Sequence, residues 1–420
     1  MKKFFVLILV LSGCSPVEND NLGAPVYSVH DSFQTLDVVN ESDNGRPKAA
    51  IGFIEFDDLG FQKDRSAVDN VFKNIRTLNE NAGADPLLLV VFIHGWHHNA
   101  KPDDTNVTTF KRFLQNLQHE ENIQTVSIHK RKVVGVYIGW RGESNESVLN
   151  PLTYRSRKSA GLRVGQYGLQ EVLAELAKIR KSKQSNRLVS IGHSFGGGVL
   201  YSSVMQNLVE NVVLAQKEGS NQLGTINKVY GDLVILVNPA LEAARVEVLN
   251  RRLSNIKFAD CQPLVFASFT SEYDKALSDV FPLGQKLFFF DDKKIALQGD
   301  HEDLVTTPYG NAPSFRTNEL SCKSCDYKAE PVYLNPDQYR DAAKQWRAFR
   351  ESKNAEFNVG NIKLTRNPDS PIQPGTPIMN VYVTGNTLMQ DHNDIWGSEF
   401  SLFARALIGM EFARGEKCQP

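Results

Sequence analysis

The sequence lacks a large net charge, internal repeats and strong low-complexity tracts. Its 47 basic and 48 acidic side chains leave a formal net charge of −1. This balance gives neither the basic surface that binds nucleic acid nor a polybasic membrane patch, so we expect no nucleic-acid partner. Hydrophobic residues make up 41% and charged residues 23% of the 420 positions. That composition is typical of a globular chain with one large domain or two ordinary ones.

The N-terminal hydrophobic run is too short to span a bilayer. It covers residues 4–11, follows two lysines and leads to "LSGC", which ends at Cys14. This pattern is typical of a secretory signal. The "LSGC" ending resembles the lipobox of bacterial lipoproteins, which implies a signal peptide over 1–13 and a lipid on the Cys14 thiol. The chain would then be anchored in the cell envelope, and Ser15 implies the outer membrane for a Gram-negative source. The alternative is a plain secretory signal in which Cys14 has no role.

Cysteine is scarce. Apart from Cys14, the sequence contains Cys261, Cys322, Cys325 and Cys418. An even number in an oxidising compartment favours disulfides, and the three possible pairings of four cysteines stay open. The "CKSC" stretch suits either a small loop bridge or half of a zinc site. A second Cys-x-x-Cys is missing from the sequence, which makes zinc the weaker interpretation.

The chain changes character near residue 51. Residues 14–50 are polar and rich in Asn, Asp, Ser, Gly and Pro, which predicts a tether. Over 51–420, strand-like apolar runs alternate with amphipathic stretches, including one long helix at roughly 157–182. This alternation predicts an α/β fold with a mostly parallel central sheet and helices on both faces. The segment at about 275–377 breaks the pattern. We expect an inserted subdomain there, either a cap over the site or a surface elaboration.

The strongest chemical signal is "IGHSFGGG". Ser194 is the serine of a G-x-S-x-G motif that follows the apolar run "RLVSI" and precedes a helical stretch. In this context a sharp turn presents the serine hydroxyl above the carboxyl ends of the strands. The flanking Gly192 and Gly196 let strand and helix approach each other closely. The motif therefore predicts that Ser194 is a nucleophile.

A serine hydroxyl needs a base to accept its proton, and the base needs a carboxylate to orient it. His392 follows the predicted strand "IMNVYVT", and Asp274 follows the predicted strand "PLVFASF". This chain order, serine then acid then histidine, predicts His392 as the base and Asp274 as the acid. Glu272 lies two residues from Asp274 and is the alternative acid. His301 is the competing histidine, but it follows no convincing strand.

The "FIHGWHHN" stretch crowds three histidines together, His94, His97 and His98. Read with Ser194, this loop would supply part of an oxyanion hole. The donors would be the backbone N–H groups of Trp96 and of Phe195, while Gly95 allows the turn and His94 supports the loop. The alternative is a metal site built on the three imidazoles, which would also need carboxylate ligands nearby.

Five stretches, taken in order, resemble the α/β-hydrolase superfamily. They are "FIHGWHHNA", "GVYIGWRG", "IGHSFGGG", "SEYDKA" and "DHNDIW". More narrowly they resemble bacterial lipase-like esterases with an "HGW" oxyanion loop. The resemblance covers about residues 50–415, although 275–377 matches no segment of known role. It implies an α/β-hydrolase fold and a serine esterase, lipase or related acyl hydrolase without a cofactor.

The resemblance assigns the triad to Ser194, Asp274 and His392. The leading hypothesis is thus a lipid-anchored hydrolase of small-molecule or lipid acyl esters, with an acyltransferase as its nearest variant. Two other classes stay open. One is a metal-dependent hydrolase that uses the histidines of "FIHGWHHN". The other is a non-catalytic envelope lipoprotein that binds ligands on the same fold.

Overall fold

The structure is a computed structural model, and it describes most of the chain after residue 30. The described residues are 31–38, 45–81, 84–123, 130–142, 154–215, 226, 230–288, 300–325, 331–351 and 353–415. The predicted signal peptide and Cys14 lie outside these residues, as does Cys418. Among the described residues, the structure contains no helix long and apolar enough to cross a membrane.

Eleven strands form one mixed sheet within the described residues. Their bounds are β1 Phe33–Thr35, β2 Ala50–Glu55, β3 Leu87–Ile93, β4 Lys132–Gly139, β5 Arg187–His193, β6 Leu233–Val237, β7 Phe266–Ser271, β8 Asn318–Cys322, β9 Glu356–Val359, β10 Ile362–Arg366 and β11 Ile378–Val383.

The centre of the sheet is parallel and its edges are antiparallel. The strand order is β1-β2-β4-β3-β5-β6-β7-β11-β8-β10-β9. Every neighbouring pair from β2 to β8 is parallel, whereas β1, β10 and β9 pair in the antiparallel sense. The prediction of an α/β fold with a mostly parallel sheet is confirmed. The carboxyl ends of the parallel strands therefore meet along one edge of the sheet, where open α/β sheets bind their ligands.

Helices cover both faces of the sheet, and each face has its own apolar core. The helices are α1 Arg65–Glu80, α2 Thr105–Ile123, α3 Tyr154–Gln166, α4 Gly168–Ser182, α5 Phe195–Ala215, α6 Ala243–Leu253, α7 Phe281–Phe288, α8 Asp300–Thr306, α9 Pro336–Arg350 and α10 Ser398–Gly415.

Strand β3 contributes side chains to both cores. All seven of its side chains are buried, as its continuous apolar run predicts. Leu89 and Val91 contribute to the core under α1, α3, α4, α5 and α6, whereas Val90 and Phe92 contribute to the core under α2, α9 and α10. This alternation follows from the period of two along a strand. We call these two faces the α5 face and the α2 face.

The single long helix predicted over 157–182 is wrong. The helix is interrupted at Tyr167, which separates α3 from α4. At the break, the Gly168 N–H donates to the Gly60 carbonyl at 3.2 Å. A Cβ at Gly168 would lie 2.4 Å from the Phe56 ring. A distant loop therefore breaks the helix by packing against a glycine, and periodicity within the helix does not report that contact.

Two further ranges contain structure that the sequence pattern left out. Residues 33–35, within the range assigned to a tether, form β1 and pair with β2. Within the range of about 275–377, β8 pairs with the last parallel strand β11, and β10 and β9 continue the sheet outward. This part of the segment extends the edge of the sheet.

The structure describes three of the four cysteines that follow Cys14 in the sequence. Cys322 and Cys325 form a disulfide with a Cα–Cα distance of 5.9 Å. The "CKSC" stretch is therefore a loop bridge, which excludes its thiols as zinc ligands. Cys261 is a free, exposed thiol.

A buried ion pair joins α2 to α10 across the α2 face. Arg405 Nε donates to Glu120 Oε1 at 2.9 Å, and its Nη1 and Nη2 donate to Ser401 Oγ and to the Val332 carbonyl. The Arg405 side chain is only 1% exposed. Burial raises the pKa of Glu120 although the charge of Arg405 opposes this shift. Removing only one partner of this pair should therefore cost much stability, because the other charged group stays buried without its counter-charge.

Replacing Arg405 alone should strongly destabilise the protein. The change Arg405→Met leaves Glu120 buried without its cation, and we expect a loss of roughly 3–5 kcal/mol in the free energy of unfolding, measured in urea. The double change of Glu120→Leu and Arg405→Met removes both charges and should recover most of that loss. A single variant as stable as the wild type would contradict the proposed importance of the pair.

Candidate active site

Ser194 occupies a strained turn between β5 and α5. Its φ angle is +55°, in the left-handed region, where a non-glycine residue costs roughly 1–2 kcal/mol. The two motif glycines make the turn possible. A Cβ at Gly192 would lie 2.6 Å from the Gly196 carbonyl oxygen, and one at Gly196 would lie 2.2 Å from the Ile93 carbonyl oxygen. Strand β3 and the start of α5 therefore meet at distances that only glycine allows.

The structure brings Ser194, His392 and Asp274 together in one hydrogen-bonded chain. His392 Nε2 lies 2.7 Å from Ser194 Oγ, and His392 Nδ1 lies 2.6 Å from Asp274 Oδ2. A carboxylate can only accept, so Nδ1 carries the proton and Nε2 is free to accept one from the serine. Asp274 is fully buried, and its other oxygen accepts the Leu277 N–H at 2.9 Å. The carboxylate is thus fixed in place.

The alternative residues lie elsewhere. Glu272 Oε2 accepts the Gly385 N–H at 3.2 Å in an exposed position beyond β11, and it is Asp274 that hydrogen-bonds His392. His301 lies in α8, and its side chain is outside the described atoms. The geometry therefore brings Asp274, rather than Glu272, to the imidazole.

The loop after β3 packs directly against the serine turn. A Cβ at Gly95 would lie 2.8 Å from Ser194 Cβ, so only glycine permits this approach. His94 holds the loop from below. Its Nδ1–H donates to the Gly95 carbonyl at 2.9 Å, while its Nε2 accepts the Trp140 N–H at 3.1 Å. Both ring nitrogens are therefore occupied. Burial lowers the pKa of His94 to about 4, so that the ring is neutral at pH 7.

The side chains of the two expected oxyanion donors stack on each other. The Trp96 and Phe195 rings lie 5.6 Å apart at 15°, and the Tyr154 ring packs edge-on against both. Phe195 is the first residue of α5, so its N–H has no acceptor within the helix. The ring stack fixes the position of the Trp96 loop relative to the start of α5.

The three histidines of "FIHGWHHN" point to different partners. His97 is exposed, and its ring packs against Trp96 with the centroids 4.1 Å apart. The Nδ1 atom of His98 lies 3.3 Å from the Asp104 carboxylate. No group of three His, Cys, Asp or Glu side chains in the described ranges is arranged to hold a metal ion. Because both nitrogens of His94 are also engaged, the geometry does not favour the metal alternative.

Sequence reasoning missed the side chains that hold the backbone of the His392 loop. The His392 carbonyl accepts two hydrogen bonds, from His193 Nε2 at 2.9 Å and from Asn238 Nδ2 at 3.0 Å. The Met389 carbonyl accepts a third, from Ser271 Oγ at 3.0 Å. These side chains lie at the carboxyl ends of β5, β6 and β7. They are polar residues that end apolar strands at one sheet edge, which is the signal that the sequence offered.

Asn238 also ties the strand ends to each other. Its side-chain Oδ1 accepts the Ser271 backbone N–H at 2.9 Å, and its backbone N–H donates to the Phe269 carbonyl at 2.7 Å. The residue is fully buried with a φ of +45°, a conformation that asparagine tolerates better than most residues. One amide thus links β6, β7 and the His392 loop.

Comparison with known proteins gives little more. No protein-family model and no curated protein sequence match the chain. Phospholipase PlaB from Legionella pneumophila is a weak structural neighbour, with 13% identity and a TM-score of 0.29, over 79% of this chain and 62% of that chain. Its complex with thio-NAD gives 14% identity and a TM-score of 0.28, over 77% and 62%. The chain therefore spans less than two thirds of these structures, and likeness at this level carries no functional argument.

Lowering the pH from 7 to 4 should destabilise the protein through its buried imidazoles. An unfolded histidine titrates near pH 6.5, whereas His94 stays neutral in the folded state down to about pH 4. The unfolded state therefore binds more protons in this window, and stability is lost as the pH falls from 6.5 to 4. For His94 the loss is about 3 kcal/mol, measurable by urea unfolding at a series of pH values.

A His193 variant separates the loss of stability caused by a buried neutral histidine from the contributions of other titrating groups. Burial, with the nearby charge of His392, also lowers the pKa of His193 well below its usual value. The change His193→Gln keeps a donor near Nε2 but cannot titrate, so its loss of stability between pH 7 and pH 4 should be smaller. Glu120 and Glu121 act in the opposite sense because burial raises their pKa, and this contribution cancels in the comparison. Equal losses would contradict a buried neutral His193.

Proposed function

We propose that the protein is a serine hydrolase that cleaves esters, or related acyl bonds, through an acyl-serine intermediate. The observation that carries the proposal is the chain of short contacts from Ser194 Oγ through His392 to Asp274. The serine sits at the carboxyl edge of the parallel strands, and the imidazole contacts it with the nitrogen that is free to accept a proton.

In the proposed reaction, His392 Nε2 accepts the hydroxyl proton while Ser194 Oγ bonds to the carbonyl carbon of the ester. When the tetrahedral intermediate collapses, the bond to the alcohol oxygen breaks and His392 returns the proton to that oxygen. Water then attacks the acyl-serine by the same route and releases the acid. Asp274 holds the imidazole tautomer and stabilises the imidazolium during both steps.

The negative oxygen of the intermediate needs donors that are already in position. We assign this role to the backbone N–H groups of Phe195 and Trp96. The assignment is supported by the close approach of Gly95 to Ser194 and by the stacked rings of the two donor residues. His94 would act as a supporting residue, because it holds the Gly95 carbonyl from a position beneath the loop.

We also propose that the α/β class observed here is the α/β-hydrolase fold. The candidate nucleophile follows β5, the acid follows β7 and the histidine follows β11, in the chain order that this fold uses. Residues 51–420 would form the hydrolase domain, with an insertion at about 275–377. The lipobox-like "LSGC" supports a signal peptide over 1–13 and a lipid anchor on Cys14, which would place the enzyme in the cell envelope.

Labelling with a fluorophosphonate probe tests the nucleophile. The wild type should be labelled, Ser194→Ala should not, and His392→Ala should react at least about 10⁴-fold more slowly because the base is gone. Thermal unfolding of each variant shows whether it is folded. Labelling that persists in Ser194→Ala would overturn the assignment, and an unreactive wild type would favour the non-catalytic binding lipoprotein.

The identity of the acid is tested by two isosteric changes. Asp274→Asn should lower kcat for a p-nitrophenyl ester about 10⁴-fold, because the imidazole loses the carboxylate that fixes its tautomer. Glu272→Gln is the matched control and should leave kcat within about twofold, because the Glu272 carboxylate accepts the Gly385 N–H and does not hydrogen-bond His392. The opposite ranking would show that Glu272 is the acid.

A further inference from the structure

We propose that a polar cleft beside His392 binds the alcohol part of the ester, and that this alcohol carries a neutral hydroxylated or a positively charged group. The inference rests on the proposed function and specifies its substrate class. It would make the substrate an ester with a polar, non-anionic headgroup.

The cleft has a volume of about 390 Å³. It lies between the start of α2 and the loop that carries His392. Apart from two threonines and a glycine, the side chains that line it are His98, Asn106, Asp391, Asn393, Asp394 and Trp396.

The cleft is lined by residues from two segments that neighbour the candidate catalytic residues. Asp391 and Asn393 flank His392 in the chain. His98 belongs to the loop after β3, and its ring centroid lies 6.4 Å from that of His193, the residue before Ser194. The cleft therefore borders the loop that carries His392, the residue that would return the proton to the leaving alcohol.

Two polar groups of the lining lack a partner among the described residues. Asn106 is only 5% exposed, and its side-chain amide makes no recorded hydrogen bond to any described residue. The Trp396 Nε1–H is buried and likewise has no acceptor in the described part of the chain. Buried polar groups are normally satisfied, so unpartnered ones at a cleft indicate a bound polar molecule. An alcohol with further hydroxyl groups could satisfy the Asn106 amide, which lines the cleft.

The charges of the lining select against anions. Asp391 and Asp394 each use a carboxylate oxygen to accept backbone N–H groups of their own loop, so two acidic side chains line the cleft. Among the residues that the structure describes, none of those lining the cleft is a lysine or an arginine. The charge that His98 would carry on protonation is compensated by Asp104, which lies 3.3 Å away. The cleft therefore favours a cation over a neutral group and a neutral group over an anion.

The other side of Ser194 differs in character. Trp96, Tyr154 and Phe195 pack together there and belong to the apolar core of the α5 face. Trp396, by contrast, packs against the core of the α2 face. The serine thus stands between an aromatic surface suited to an acyl chain and a polar cleft suited to the alcohol.

Three esters with the same short acyl chain test the inference. Their alcohols carry a trimethylammonium, a hydroxyl or a carboxylate group. In the wild type, kcat/KM should fall in that order, by about tenfold from the cationic to the anionic ester. The double variant Asp391→Asn, Asp394→Asn keeps the acceptor oxygens of the loop but removes both charges, so the cationic-to-anionic ratio should drop to near one.

Control variants separate local from general effects. The double change Asp69→Asn, Asp369→Asn removes two exposed carboxylates outside the cleft and should keep the wild-type ratio. Asn106→Leu should raise KM for the hydroxylated ester several-fold and change kcat little, since it removes a binding group without touching the proton path.

The outcomes distinguish failure of the proposed headgroup site from failure of the proposed hydrolase function. If all three esters are hydrolysed but the cleft variants discriminate among them as the wild type does, the headgroup site is wrong and the hydrolase survives. If none is hydrolysed and the fluorophosphonate does not label Ser194, the proposed function fails and the headgroup site fails with it.

Discussion

The close approach of the Gly95 loop to the Ser194 turn is the constraint on which the rest of the site depends. The loop after β3 and the turn after β5 come so near that a single Cβ at Gly95, Gly192 or Gly196 would collide with backbone or with Ser194. The neighbouring parallel strands set this distance, and the strained φ of Ser194 is maintained by it. The proposed backbone donors at Trp96 and Phe195 are therefore positioned by main-chain packing together with the stacking of their own rings.

The candidate base is held in a different way. His392 lies in a loop, and the imidazole is oriented by Asp274 on one nitrogen. The backbone of the loop is fixed by buried donors at the ends of β5 and β6, His193 and Asn238, which share the His392 carbonyl. Buried hydrogen bonds such as these rigidify a site, because breaking one leaves an unsatisfied group in a low-dielectric interior. The backbone of His392 is thus held in position by the ends of sheet strands although the residue lies in a loop.

The two faces of the sheet make one side of the site apolar and the other side polar. On the α5 face the residues next to Ser194 are aromatic and continuous with the core, whereas the α2 face opens into a cleft of carboxylates, amides and hydroxyls. This arrangement suits a substrate with an apolar acyl chain and a polar alcohol. It also explains why the "FIHGWHHN" histidines diverge. His94 supports the loop from inside, His97 packs on the surface and His98 faces the cleft.

Sequence patterns predict the strands β2 to β7 and β11, the turn at Ser194 and the order of the chemical groups along the chain. These depend on local patterns, such as an apolar run ended by glycines or a histidine just after a strand. Three features became visible in the three-dimensional structure: the choice of Asp274 over Glu272 as the partner of His392, the hydrogen bonds of His193 and Asn238 to the His392 loop, and the interruption of a helix at Tyr167. Each of these is a contact between distant segments: Ser194 and His392 are 198 positions apart. Such contacts arise from the order in which strands join the sheet, which local periodicity does not record.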